Sequence, residues 1–111
     1  MNIREEVFGY LKNLAVMNVD LSGTRIKDEL ILPEVNRVDL SEAKGKRLTI
    51  RAVFVSYLDL SDGKFGEVVL EGVFNVVDVS GARIGALDRT RAEIWNLDDS
   101  EAEIKGVRRK K

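Results

Sequence analysis

Hydrophobic positions along the chain recur first with a helical period and then with a period of two. Near the N-terminus, Asn2 and Glu5 have the spacing of a helix capping box. The apolar residues around and after them recur on one helical face, namely Ile3, Val7, Leu11 and Leu14. This pattern predicts an N-terminal helix of about three turns.

After Leu14 the pattern changes to an alternation of apolar and polar residues, which is typical of a β-strand. This first strand is predicted to end at Ser22 and Gly23. The next apolar segment, residues 30–33, ends in Pro33, which cannot donate a hydrogen bond to a β-ladder. We therefore expect this segment at a sheet edge or in a connection.

Two long segments in the middle of the chain, residues 47–58 and 66–79, are predicted to form neighbouring strands. Asp62 and Gly63 between them are typical of a hairpin turn. Gly72 interrupts the second strand and predicts a bulge or a bend. Parts of both strands are apolar on both faces, which indicates either cover on both sides or an interface with a partner.

The C-terminal part is predicted to contain three further short strands, at residues 82–87, 91–97 and 102–108. The acidic residues 98–101 between the last two strands predict a hairpin, although Ser100 and Glu103 could instead cap a short terminal helix. About six strands after one helix predict a mainly β fold. We expect a single domain over residues 1–111 in which an N-terminal helix precedes a curled antiparallel sheet, a small barrel or a sandwich.

Two segments of the chain, residues 16–26 and 74–84, resemble each other. They share Val, Asp, Ser, Gly, Arg and Ile at matched offsets. One interpretation is a common strand-turn-strand device, in which Asp and Ser bond the turn backbone and Gly adopts a positive φ. The alternatives are an ancient duplication without a function, or paired turns that place Asp20 near Asp78, or Arg25 near Arg83, around one ligand.

The composition restricts the available chemistry. The 111 residues include no cysteine and no histidine, which excludes disulfides, thiolate or imidazole zinc sites and histidine-dependent catalysis. No catalytic, cofactor-binding or metal-binding residue is predicted. The charged N-terminus and the lack of a long apolar run predict a soluble, cytoplasmic protein that does not bind membranes.

Two acidic segments contain residues of the kind that bind cations. Residues 98–101 could ligate a hard cation, but a solvated loop is the more ordinary interpretation of such a run. In residues 59–63 the glycine is at the fifth position rather than the sixth position that a calcium loop requires. A turn is therefore the better interpretation of the second segment.

Several short motifs between about residues 17 and 76 resemble the SecB-type export chaperones. They are Asp20-Leu21-Ser22, Pro33-Glu34-Val35, Asp39-Leu40, Glu67-Val68 and Gly72-Val73-Phe74. The resemblance implies a role in protein binding. That family continues into long C-terminal helices, whereas the residues after Val79 here have the pattern of short strands.

The leading hypothesis from these patterns is a non-enzymatic binding or scaffold module that self-associates, or binds a protein partner, through an apolar sheet face. The residues predicted to form that face are Val53, Val55, Tyr57, Val69, Val73 and Val77. The alternative is a small nucleic-acid-binding β-barrel that uses a basic C-terminal segment. The basic residues of this alternative are Lys105, Arg108, Arg109, Lys110 and Lys111, of which 108–111 form a short tail.

Overall fold

A computed structural model of the chain describes residues 18–27 and 29–108, and every regular element within them is a β-strand. The strands are β1 (Asn18–Asp20), β2 (Leu30–Asp39), β3 (Lys44–Asp59), β4 (Lys64–Asp78), β5 (Arg83–Asp98) and β6 (Glu103–Arg108). They form one sheet in sequence order, β1 to β6, and every neighbouring pair is parallel.

The long strands bend around a common core. A fully extended strand of 16 residues, the length of β3, would span roughly 53 Å. The longest dimension of the molecule is only 38 Å, so the strand cannot be straight. Each strand therefore makes most of one coil, and the whole is a parallel β-solenoid.

The core consists of columns of aliphatic side chains, one from each coil. Leu48, Val68 and Leu87 occupy successive positions of one column and are fully buried. Val38, Leu58 and Val77 form a second such column. Apolar side chains repeated at the same point of every coil thus bury one another continuously along the solenoid axis.

A turn of the form Asp-x-Ser closes each coil. It occurs at residues 20–22, 39–41, 59–61, 78–80 and 98–100, so the coil length is 19 or 20 residues. In each turn the Asp carboxylate accepts hydrogen bonds from the Ser backbone N–H and the Ser hydroxyl. The residue after the Ser has a positive φ in all five turns: Gly23, Glu42, Asp62, Gly81 and Glu101.

Gly72 marks the bend that its position in the sequence predicts. It has a φ of 122°, and a Cβ there would collide with the carbonyl oxygen of Ala52 on the neighbouring coil. The register of β3 against β4 shifts at the same place, where Val53 has no partner and is 68% exposed. The bulge accommodates one extra residue in a 20-residue coil.

The predicted antiparallel sheet, barrel or sandwich is wrong, because all pairings of β1 to β6 are parallel. Residues 59–63 and 98–101 are not hairpins. Lys64 and Glu103, which follow these turns, donate their N–H groups to Ala43 and Ala82 of the preceding coils, and so each turn continues the winding of the chain. The alternative of a short terminal helix is also wrong, because residues 103–108 are the strand β6.

The predicted N-terminal helix lies outside the described residues. Residues 18–27 and 29–108 contain no helix, and hence none that is long and apolar enough to cross a membrane.

Candidate functional site

The C-terminal coil of the solenoid, which consists of the second half of β5 together with β6, has a surface unlike that of the interior coils. We call its apolar residues the end-coil surface, defined as Ile94, Leu97, Ile104 and Val107. Each of them continues a core column, since they pair with Phe74, Val77, Ile84 and Leu87 of the preceding coil. They are therefore core positions of the solenoid by register.

Burial decreases sharply at this coil. Ile84 is 2% exposed and Leu87 is fully buried, whereas Ile104 is only partly buried and Val107 is 41% exposed. Phe74 and Val77 are fully buried, whereas Ile94 and Leu97 are only partly buried. Among the described residues no further coil covers this layer, so part of the hydrophobic core is open to solvent there.

The rim of the end-coil surface is polar. The core column that contains Leu40, Leu60 and Val79 continues at Asp99, which is exposed. The backbone edge of β6 that points away from β5 pairs with no strand of the described chain. An apolar centre, a charged rim and an open strand edge are the parts of a β-type docking surface.

The Asp carboxylates of the turns are occupied by bonds within the turns. The Ser hydroxyl lies 2.6 to 2.8 Å from the Asp Oδ1 atom in all five. The pKa of Asp20 is lowered because its carboxylate accepts hydrogen bonds from the backbone and the side chain of Ser22. In all five turns the Asp carboxylate therefore acts as a structural hydrogen-bond acceptor.

A polar cluster joins three neighbouring coils beside the turns. The guanidinium of Arg37 lies 4.8 Å from the ring centre of Tyr57 and donates a hydrogen bond of 3.1 Å to Asp59. The Tyr57 hydroxyl donates a bond of 2.8 Å to Asp78. This bond is the main reason that the pKa of Tyr57 rises to about 12.

The pKa of Asp78 reflects opposing influences. Burial raises it, but the hydrogen bonds from Ser80 and Tyr57 and the positive charge of Arg37 outweigh burial, and the net result is a lowered pKa. The cluster therefore combines an ionised Asp78 with a protonated Tyr57, and its hydrogen bonds connect neighbouring coils.

The six residues predicted to form an apolar partner face lie in different parts of the structure. Val55 and Val77 are fully buried in the core. Val53 is exposed at the bulge, Tyr57 belongs to the polar cluster, and Val69 and Val73 are half-buried on the outside. The six do not share one face, because bulges and bends shift the alternation of inward and outward positions along each strand.

The basic residues of the nucleic-acid alternative are only partly described. Lys105 and Arg108 are exposed on β6. Arg109, Lys110 and Lys111 lie outside the described residues.

The interpretation of the internal similarity as a strand-turn-strand device is confirmed for the Asp and Gly positions, whereas the Ser hydroxyls donate to the Asp carboxylates and not to the turn backbone. Asp20 and Asp78 accept the bonds of Ser22 and Ser80, and Gly23 and Gly81 have positive φ. Three coils separate the two turns, which corresponds to about 14 Å, so they cannot surround one small ligand. Sequence reasoning predicted turns at residues 59–63 and 98–101 but missed that they belong to the same repeat, although the spacing of Asp-x-Ser at 19 or 20 residues was a visible repeat signal.

Comparison with known proteins identifies no relative, because no family profile, no curated protein and no solved structure matches the chain. The resemblance to SecB-type chaperones therefore stays a prediction. Two of its motifs, at residues 20–22 and 39–40, belong to the repeated turns. The end-coil surface is the candidate site that the geometry alone supplies.

Proposed function

We propose that the protein is a non-enzymatic scaffold module that self-associates by joining the end-coil surfaces of two copies. The observation that carries this proposal is the loss of burial within the core columns, from fully buried Leu87 to Val107 at 41% exposed. A second copy would cover these side chains as the next coil covers them in the interior. The non-enzymatic part is supported by the turn carboxylates, which are all engaged by Ser.

The backbone of β6 is suited to pairing with a second β6. Glu103 donates its N–H to the carbonyl of Ala82, the residue before β5. Along a strand, the backbone N–H and C=O groups of alternate residues point to opposite neighbouring strands. Those of Ile104 and Gly106 therefore point away from β5, to the open edge of β6. At the equivalent point of the first coil, Ile26 uses its N–H to bond Lys44 of the coil that follows.

Charge favours one register of such a pairing. In an antiparallel pair of β6 strands related by a two-fold axis at Ile104, Glu103 of each copy is opposite Lys105 of the other. Centring the pair on Glu103 or on Lys105 would instead place like charges opposite each other. Two opposite-charge pairs, each contributing roughly 0.2–1 kcal/mol, favour the register centred on Ile104.

The mass of the full chain in solution tests the proposal. We expect light scattering after size exclusion to give twice the chain mass of 12.5 kDa. Gly106→Pro removes an outward N–H without removing a bond to β5, and it should give a monomer. Gly106→Ala is the matched control, because a Cβ at Gly106 meets nothing closer than 3.8 Å. It should stay dimeric.

A charge exchange tests the register. Glu103→Lys places Lys opposite Lys105 in both pairs and should raise the dimer dissociation constant by about tenfold. The double variant Glu103→Lys/Lys105→Glu restores opposite charges and should restore the affinity. A monomeric wild-type chain at millimolar concentration would disprove the proposal, and a dimer that ignores all these changes would disprove the end-coil surface as its interface.

A further inference from the structure

One outer face of the solenoid is strongly basic, although the chain has a net charge of −1. We call it the basic face and define it by seven exposed residues. They are Arg25, Lys27, Lys44, Lys46, Lys64, Arg83 and Lys105. They are far apart in the sequence, and the parallel register brings them together.

The first column of this face runs across four coils. Arg25 pairs with Lys44, Lys44 with Lys64, and Lys64 with Arg83. Neighbouring strands are about 4.8 Å apart, so four cations repeat over a length of about 14 Å. Glu103 continues this column and lies 3.9 Å from Arg83. Within the described chain, no other cation of the basic face has a carboxylate within ion-pair distance.

A second column lies two residues further along the strands, which is about 7 Å away. Lys46 and Lys105 occupy its ends, and Gly66 and Gly85 lie between them in the same column. A Cβ at Gly66 would be 2.6 Å from the carbonyl oxygen of Lys46, so a side chain cannot be accommodated there. The two glycines therefore keep a shallow trough beside the first column, lined also by Lys64, Arg83 and, at its end, Glu103.

Besides Glu103 in the first column, acidic residues flank the basic face at the turns that precede it. Glu42 and Asp62 occupy the positive-φ positions two residues before Lys44 and Lys64. The Asp carboxylates of the Asp-x-Ser motif accept hydrogen bonds from Ser within each turn. The four successive cations of the first column therefore concentrate positive charge on the basic face.

From this arrangement we propose that the basic face binds the phosphate backbone of double-stranded nucleic acid without sequence specificity. Single-strand binders add aromatic side chains on which bases stack. The basic face presents none among the described residues, since Phe65 is buried beneath it and Trp95 lies elsewhere on β5. Recognition through phosphates alone favours the duplex, which has the higher charge density.

The inference does not depend on self-association. It also differs from a role of the basic tail, because six of the seven cations precede β6. Only Lys105 is shared with the β6 edge, and the variants below leave it unchanged.

Fluorescence anisotropy of the full chain with a labelled DNA duplex of about two helical turns tests the inference. If about four phosphates are contacted at once, the slope of log K against log salt is about −3.6. The affinity should then fall on the order of 100-fold between 50 and 200 mM salt. A duplex that does not bind, or binding that does not depend on salt, would overturn the proposal.

Two charge-matched variants locate the contact. Lys44→Gln/Lys64→Gln should weaken duplex binding by about 50-fold near 0.1 M salt and reduce the slope by about two. Arg89→Gln/Arg91→Gln changes the net charge equally on another part of the coil and should change the affinity by less than about threefold. Equal losses in both variants would overturn the assignment to the basic face.

Two further probes complete the test. A single-stranded oligonucleotide of the same length should bind more weakly than the duplex, and tighter binding would contradict recognition through phosphates alone. Vesicles of phosphatidylcholine and phosphatidylserine should not compete with the duplex at equal accessible charge. Vesicle binding without duplex binding would identify a lipid surface as the partner and overturn the proposal.

Discussion

The interior coils and the C-terminal coil are built from the same repeat but differ in what surrounds them. Ile84 and Ile104 are the same residue type at equivalent positions, yet only Ile84 is fully packed between two coils. Asp59 and Asp98 make the same bonds to Ser, yet Asp59 is buried and Asp98 is exposed. A repeat therefore contributes stability mainly through its neighbours, as is expected of a solenoid.

The largest effect should come from shortening a core side chain in an interior coil. Ile84→Ala removes a buried side chain between two coils and should cost about 3 kcal/mol of unfolding free energy. Ile104→Ala, measured under monomeric conditions in Gly106→Pro, should cost about 1 kcal/mol. Chemical denaturation measures both, and equal costs would show that the end coil is packed as tightly as the interior.

The next effect concerns the turn carboxylates. Asp59→Ala leaves the Ser61 N–H and hydroxyl without their acceptor and removes the partner of Arg37, and it should cost about 2 kcal/mol. Asp98 and Ser100 are exposed, so in Asp98→Ala water can accept the hydrogen bonds of the Ser100 N–H and hydroxyl. This variant should cost less than about 0.5 kcal/mol. If Asp98→Ala proved the more damaging, the difference in burial would not explain the stability of the turns.

Backbone strain at the positive-φ turn positions should be the same in an interior coil and in the C-terminal coil. Glu42 and Glu101 have φ angles of 60° and 57°, which glycine adopts without steric cost. Glu42→Gly and Glu101→Gly should each raise the unfolding free energy by about 0.5–1 kcal/mol, since this strain is local. Thermal unfolding checks the gain, and a loss in either variant would contradict strain at that turn.

The last prediction concerns the alkaline pH dependence of the interior polar cluster. The pKa of Tyr57 is raised to about 12 from 10.0, chiefly by its bond to Asp78, so the folded state retains the proton more tightly. The corresponding stability is complete below pH 10 and disappears as the pH rises from 10 to 12. Tyr57→Phe should lack this loss, which denaturation at a series of pH values can measure.

Much of the local structure could be predicted from the sequence. The strands at residues 47–58 and 66–79 match β3 and β4 closely, because their alternating pattern is strong. Gly72 indicated the bend, and the Asp-x-Ser-Gly segments indicated the turns. Asp62-Gly63 was misinterpreted as a hairpin, because a turn signal does not specify whether the next strand runs back along its neighbour or continues around a coil.

The candidate surfaces were harder to predict. Val55 and Val77 were assigned to an outer face, but the register places both in the core. The end-coil surface could not be recognised, because Ile104 and Val107 have the pattern of ordinary core residues. The basic face was missed because Lys44, Lys64 and Arg83 are far apart in the sequence and become neighbours only when the coils stack.

The sequence by itself indicated most of the strands and turns, because alternation and Asp-x-Ser turns act within a few residues. It wrongly divided β5, since the strands predicted at residues 82–87 and 91–97 are one strand, Arg83–Asp98. It also determined the coil length, through the recurrence of Asp-x-Ser every 19 or 20 residues. Only the tertiary structure decided that the strands are parallel, which core column is left open and which cations are neighbours. Those properties depend on stacking between residues about 20 positions apart, and the energy of that stacking is realised only when the coils pack.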